Sequence, residues 1–224
     1  TADAYDHWYI SDRKNFHTSP AMRIVAEETF EMAGMGLDEL TFLDLYSCFP
    51  SAVEIACQEM GIAEDDPRGL TVTGGLPYFG GPGNNYVTHS IAEMMQKVRS
   101  KPGSYGMITA NGNYVTKQSA GIYSTTPTEK TFKPKDPKIY QAKINNDKGP
   151  TSTEIPSGSA TIETYSVMHD RKGPSYAILF GRQKDGTRFI ANTPQDPGLL
   201  ADMVKNDYLG APGKVVVDAE GKAI

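Results

Sequence analysis

The sequence has little of what metal centres, disulfide scaffolds, membrane spans and nucleic-acid binders require. Of 224 residues, two are cysteine, four are histidine and one is tryptophan. Cys48 and Cys57 stand nine residues apart, which a helix turns onto different faces. No second cysteine pair or nearby histidine completes a zinc cage, and two cysteines make no disulfide framework. A reducing cytoplasm is the expected setting. No apolar run is long enough to span a bilayer. A basic excess is also missing. The net charge is −5, with 9 basic and 16 acidic residues over 1–130 and 13 basic and 11 acidic over 131–224. Neither part has the cationic stripe that nucleic acid demands. There is no initial methionine and no signal-like segment before Thr1, so the chain is expected to start inside a longer protein.

The rest of the composition is ordinary for a globular protein, at 38% hydrophobic and 22% charged. Periodicity predicts an α/β fold. Residues 1–18 are polar and irregular. Ser19-Pro20 reads as an N-cap and first turn, with Met22, Val25, Ala26 and Ala33 at helical spacing and Gly34 as the stop. TFLDLY (41–46) reads as a buried strand. Pro50 opens a helix with Val53, Ala56, Cys57 and Met60 on one face, ended by Gly61. GLTVTGG (69–75) reads as a third strand running into a glycine turn. A loop rich in Gly and Asn then leads at about Asn84 into a helix with Val87, Ile91, Met94, Met95 and Val98 on one face. YGMITANG (105–112) is a strand, with AGIYST (120–125) as its antiparallel partner. The prolines of 126–158 mark a domain crossing. Beyond them, 160–169, 175–183 and 188–192 read as strands, with Asp185-Gly186 as a hairpin turn. A helix near 197–208 and a last strand in GKVVVDAEGK complete a small barrel of OB type. The expected domains are therefore 1–128 and 129–224.

Three segments could carry chemistry. In the loop 74–85, Gly74-Gly75, Gly80-Gly81 and Pro82-Gly83 let backbone approach a ligand, and the helix start offers free N–H groups. The same glycines also serve as a packing turn. LDLYSCFPSAVEIA (43–56) delivers Tyr46, Ser47 and Cys48 to the C-terminal end of a strand, where ligands of α/β sheets sit. Cys48 is either a nucleophile or a small buried residue, and Cys57 belongs to the core. TANGNYVTKQ (109–118) places Asn111, Gly112 and Asn113 at a strand end, as carbonyl donors or as plain turn residues. Of the histidines only His89 lies near the glycine loop, as a base or as packing.

These segments, in this order and spacing, resemble the second half of the thiolase superfamily. DLYSCFPSAVEIA, TGGLPYFGGPGNNYVTHSIA, ITANGNYVTK and SGSATIETYSVMHDRKG resemble its thiolase-like acetyl-CoA acetyltransferase branch, which carries an extra OB-like C-terminal domain. The resemblance covers nearly the whole chain. It implies a partial thiolase half, a mixed sheet with helices on it, followed by a small OB-like barrel. It also implies that the first half and the first strand of the second half lie outside the chain. The implied catalytic positions are Tyr46, Ser47, Cys48, His89 and Asn111. Gly80, Gly81, Asn84, Asn85, Gly112 and Asn113 are implied to line the substrate. YSCF (46–49) falls on the family's His-Asp-Cys-Phe loop, with Tyr46 and Ser47 in place of His and Asp. Gly81 stands where the family's Gly-His-Pro loop has its histidine. Ala110 stands where its Cys-x-Gly turn has its cysteine; a one-residue slip puts Thr109 there.

A Claisen condensation needs a base for the α-carbanion and an acid for the leaving thiolate, and neither Gly81 nor Ala110 can serve. Three readings follow. The first is an acyl-CoA acyltransferase with altered catalytic residues, taking a CoA thioester as substrate and holding no cofactor. The second is a silent acyl-CoA or lipid binder. The third is an interaction module built on the OB-like domain. Acyl-CoA, the absent first half and further copies of the chain are the expected partners, and nucleic acid is not one.

Overall fold

A computed structural model describes residues 1–128 and 133–224. The chain forms two compact units: Thr1–Trp8 with Asn15–Asp147, and Tyr9–Lys14 with Lys148–Ile224. The expected boundary between 128 and 129 adjoins residues 129–132, which lie outside the described residues.

The first unit is a mixed four-stranded sheet with helices on both faces. Its elements are β1 (Ala2–Tyr5), α1 (Pro20–Ala33), β2 (Phe42–Asp44), α2 (Pro50–Met60), α3 (Leu76–Phe79), α4 (Tyr86–Ser100), β3 (Tyr105–Gly112), β4 (Lys117–Ser124) and α5 (Pro137–Asn146). The strand order is β1-β4-β3-β2, with β2 parallel to β3 and the other pairs antiparallel. The alternation of side chains decides what each face holds. Leu43, Leu45, Met107 and Ala120 face α1 and α2 in the main core. Phe42 and Ile108 face α4, where Met94 and Val98 are fully buried.

Local chemistry explains the helix ends. The Ser19 Oγ accepts from the Met22 N–H at 3.2 Å, Pro20 occupies the first turn, and Gly34 closes α1 in the left-handed conformation. The Asp6 carboxylate ties this helix start to the sheet. It accepts from the Ala21 N–H and the Ser19 hydroxyl, and the Asp6 N–H donates to the Thr116 carbonyl at 2.8 Å.

Four expectations are corrected. The lead-in is not irregular throughout, because Ala2–Tyr5 pairs with β4 and supplies an edge strand before α1. Residues 69–75 form no strand. They bend at Leu70, Val72 and Thr73 and make one backbone bond to the end of β2, from the Leu45 N–H to the Leu70 carbonyl at 2.8 Å. The helix expected from about Asn84 starts at Tyr86, with the short α3 before it. The proline-rich crossing holds α5, which belongs with the first unit and buries Tyr140 and Ile144. Its signal was obscured because Pro137 takes the first helical turn, where proline costs no hydrogen bond, behind the Asp136 cap.

The second unit is a curled antiparallel half-barrel of β5 (Gly158–Asp170), β6 (Gly173–Gln183), β7 (Arg188–Asn192) and β8 (Pro212–Val215), with α6 (Pro197–Lys205) packed on it. The Asp185-Gly186 turn forms as expected, with the Gly186 N–H donating to the Gln183 carbonyl at 2.9 Å. A β-bulge between Ile162 and Thr164 leaves Glu163 outside the ladder. Its carboxylate takes paired bonds from Arg182 and from the fully buried Arg188. Arg188 also donates to the carbonyls of Ser11, Arg13 and Lys14, which fastens Tyr9–Lys14 into this unit. Burial opposes the charge on Glu163, but Arg188 and Arg182 outweigh it and hold its carboxyl below the ordinary range.

Helix α4 approaches the sheet over Gly106, where an added Cβ would lie 2.0 Å from the Met94 Sδ. Gly106→Ala is therefore expected to lower stability by about 1–3 kcal/mol, the usual cost of overpacking. Urea denaturation of the two proteins measures it. Equal midpoints would show that α4 can shift at no cost.

Candidate functional site at the end of β2 and β3

The C-terminal ends of the parallel pair β2 and β3 gather the polar residues on both faces of the sheet. On the α4 face stand Asp44, Tyr46 and Ala110. On the opposite face stand Thr109 and Asn111, with Cys48 just before α2.

On the α4 face, Asp44 is fully buried. Its Oδ2 accepts from the Val72 N–H at 2.9 Å and from the Thr73 hydroxyl at 3.4 Å. The Thr73 and Tyr86 hydroxyls share a hydrogen bond of 2.6 Å. Burial pushes the Asp44 carboxyl up, and the donors around it, Val72, Ser90 and Thr73, only partly oppose the shift. Ser90 lies close to the carboxyl, but its Oγ and Asp44 Oδ1 are both buried and meet no partner in good hydrogen-bond geometry among the described residues. The ring of Tyr86 meets Tyr46 edge-on at 5.5 Å and Phe79 at 6.0 Å, and Phe79 lies 5.2 Å from the His89 ring. His89 Nε2 is 3.3 Å from Asn85 Nδ2.

On the other face the Tyr46 N–H donates to Thr109 Oγ1 at 2.9 Å, so a threonine hydroxyl continues the ladder beyond β2. Asn111 Nδ2 donates to Cys48 Sγ at 3.7 Å. Burial pushes the Cys48 thiol up, against the backbone N–H groups of Phe49 and Cys48 that favour the thiolate. The half-buried sulfur is therefore a thiol at neutral pH. The Ser47 hydroxyl accepts from the Leu76 N–H at 3.0 Å. Gly75, at φ +84°, passes so close that a Cβ there would lie 2.9 Å from Ser47 Oγ.

Of the residues singled out from sequence, Tyr46, Cys48 and Asn111 come together at the two strand ends. Ser47 serves the Gly75-Leu76 turn, and His89 and Asn85 connect to the cluster through Phe79 and Tyr86. Gly80 ends α3 at φ +88°, and Gly81 packs close to Leu76. Asn84 and Asn113 are exposed in their loops. Gly112 ends β3, and Asn113 opens a left-handed run with Tyr114 and Val115 at φ 55°, 55° and 61°. That run is closed by the Thr116 N–H bonding to the Gly112 carbonyl at 3.1 Å.

Sequence reasoning passed over Asp44, Thr73, Tyr86, Ser90 and Gln118, and reached Thr109 only as an alternative to Ala110. Asp44 carried a usable signal, a single acid in an apolar strand, which is expensive to bury unless it has work to do. The true buried stripe of α4 is Tyr86, Ser90, Met94 and Val98. The expected apolar face, Val87, Ile91, Met94, Met95 and Val98, left out Tyr86 and Ser90.

The raised Asp44 carboxyl has a stability consequence. The folded state binds this proton more tightly than the unfolded chain, so stability falls as pH rises from the ordinary carboxylate value of about 3.9 towards the folded value. Asp44→Asn keeps an oxygen for the Val72 N–H and removes the titration. It is expected to flatten that part of the stability curve and to stabilise the protein at neutral pH relative to pH 3. Urea midpoints measured from pH 3 to pH 8 check this, and parallel curves for the two proteins would contradict it.

Among the described residues no helix is long and apolar enough to cross a membrane, and no three His, Cys, Asp or Glu side chains gather as a metal site. Residues 140–220 match the family model described as the thiolase-like protein type 1 additional C-terminal domain. No match is found among curated proteins. The crystal structure of a monomeric SCP2-thiolase-like protein type 1 from Mycobacterium smegmatis superposes with a TM-score of 0.90 at 39% identity. It covers 99% of this chain, and the chain spans 48% of that protein. The peroxisomal 3-ketoacyl-CoA thiolase of Saccharomyces cerevisiae overlaps 46% of the chain at 16% identity and a TM-score of 0.37, too slight a likeness to argue from. The chain belongs to the thiolase superfamily, with a thiolase-like α/β part followed by an additional C-terminal domain.

Proposed function

We propose that this chain supplies one side of an acyl-thioester site in a thiolase-like acyl-CoA acyltransferase. The observation that carries the reading is the Cys48–Asn111 pair, a thiol and an amide donor 3.7 Å apart at the ends of two parallel strands. Such strand ends are where α/β folds place their ligands. The half-buried thiol and the exposed Phe49, Tyr78 and Phe79 suit an acyl chain and a pantetheine arm better than a charged metabolite. The chain spans about half of its M. smegmatis relative, so the remaining wall of such a site is proposed to come from a companion thiolase-like half. Cys48 and Cys57 are both free, in keeping with a reducing, cytoplasmic setting and a role in lipid metabolism.

Acyl transfer between thiols needs a nucleophile and a carbonyl-oxygen donor. A Claisen condensation also needs a base and an acid to handle the α-proton. Gly81 and Ala110 provide neither, so the proposed chemistry stops at thioester exchange. The same two residues support a second reading, an acyl-CoA binder that turns nothing over.

Acetyl-CoA titrated calorimetrically into the full-length protein is expected to bind saturably. Asn111→Ala is expected to weaken binding by about two- to tenfold, the worth of one net hydrogen bond. Transfer of the acetyl group to an added thiol would favour the transferase, and binding without transfer the silent binder. Absence of binding would contradict both.

A further inference from the structure

We infer that the second unit clamps the connection between β1 and α1, with Arg188 as the hook, and so keeps the edge strand and first helix of the thiolase-like sheet in order. This gives the additional C-terminal domain a task that does not depend on the acyl-thioester reading.

The chain between β1 and α1 leaves the first unit and returns to it. Tyr9–Lys14 belongs to the second unit, while Thr1–Trp8 before it and the chain from Asn15 onward belong to the first. Within the segment, Ile10–Asp12 forms a single 3-10 turn, in which the Asp12 and Arg13 N–H groups donate to the carbonyls of Tyr9 and Ile10. The carbonyls beyond such a turn need partners from elsewhere. Arg188 supplies them to Ser11, Arg13 and Lys14 and gives two more N–H bonds to the Glu163 carboxylate. These five bonds match the five donors of a guanidinium. Arg188 is 0% exposed, and a buried cation is tolerated only where it is paired and fully hydrogen-bonded. Its donors are committed to the passing chain. The ladder of β6 and β7 sets its place, opposite Arg182, and its own N–H donates to the Thr151 carbonyl at 2.8 Å. Gly149 makes the room, because a Cβ there would lie 2.2 Å from the Asp12 carbonyl oxygen.

Both ends of the connection are tied in the first unit. The Asp6 N–H donates to the Thr116 carbonyl at 2.8 Å, and the Asp6 carboxylate accepts from the Ala21 N–H at 3.0 Å. Asn15 Oδ1 accepts from the Thr18 N–H at 3.0 Å, just ahead of the Ser19 cap. The clamped segment fills most of the chain between Asp6 and Asn15. β1 has four residues and pairs on one side only, with β4. A strand that short and that peripheral opens easily by itself. Holding the chain that follows it therefore holds the strand, and through Asp6 the start of α1.

Amide hydrogen exchange of the full-length protein, resolved by residue, tests this in Arg188→Met and in Gly149→Ala. The first removes the hook. The second keeps the Arg188–Glu163 pair and displaces the Asp12 carbonyl. In each, the Asp12 amide is expected to exchange at least about tenfold faster, the worth of one hydrogen bond to a charged group. The amides of Asp6 and Ala21 are expected to follow by about three- to tenfold, with Ile108 in β3 unchanged. Faster exchange at Asp12 with Asp6 and Ala21 unchanged overturns the clamp, since the segment would then be loose at no cost to the first unit. Unchanged exchange at Asp12 overturns the role of Arg188. Where a variant unfolds the second unit, the same two amides decide. Protection kept at Asp6 and Ala21 overturns the inference, and protection lost there but kept at Ile108 supports it. Loss at Ile108 in both variants overturns it, because the whole sheet would be failing and not its first strand and helix.

Discussion

The site depends on a carboxyl group buried at the end of a strand only three residues long. Asp44 is completely enclosed, and burial pushes its pKa up, so its presence weakens the fold at neutral pH. What it does in return is structural. Beside β2 the segment after Leu70 makes a single backbone bond and then diverges. From there the Asp44 side chain takes the Val72 N–H and the Thr73 hydroxyl in place of a strand partner. That anchors the approach to the glycine turn. Gly75 and Leu76 then reach Ser47, and Thr73 meets the hydroxyl of Tyr86. A regular ladder would have held the segment more cheaply. It would also have carried it straight past the strand end instead of turning it over the site.

The two faces of the sheet divide the labour. The α4 face holds the aromatic and carboxyl network of Asp44, Thr73, Tyr86 and Tyr46, which gives the strand end its shape. The opposite face holds Cys48 against Asn111, with Gln118 in the adjacent row. Alternation along β3 explains why Ala110 is no loss on the Cys48 side, since it points to the other face from Asn111. A thiol arriving from the end of β2 stands in front of the strand whose own turn carries none.

Much of the fold was legible because helix boundaries are written in local chemistry. Ser19-Pro20, Gly34, Pro50 and Gly61 start and stop α1 and α2 by capping and left-handed closure, which need no knowledge of the rest of the chain. The strands were legible where apolar runs met a turn such as Asp185-Gly186. The reading failed where a side chain replaced a backbone pattern. Residues 69–75 look like a strand because Leu70 and Val72 are apolar, yet their partner is a carboxylate. β1 was missed because an edge strand of four residues with two alanines has almost no pattern. At the site, Cys48 and Asn111 could be named separately, since each sits at a strand end. Their proximity, and the place of Gln118 beside Asn111, depend on a register that periodicity does not encode.

The central claim is that Asp44 fastens the segment leading to the glycine turn, and amide hydrogen exchange resolved by residue tests it most directly. In Asp44→Ala the account predicts faster exchange at Val72 and Leu76, with the amide of Met107 in the neighbouring strand unchanged. Equal protection of Val72 in both proteins would contradict it.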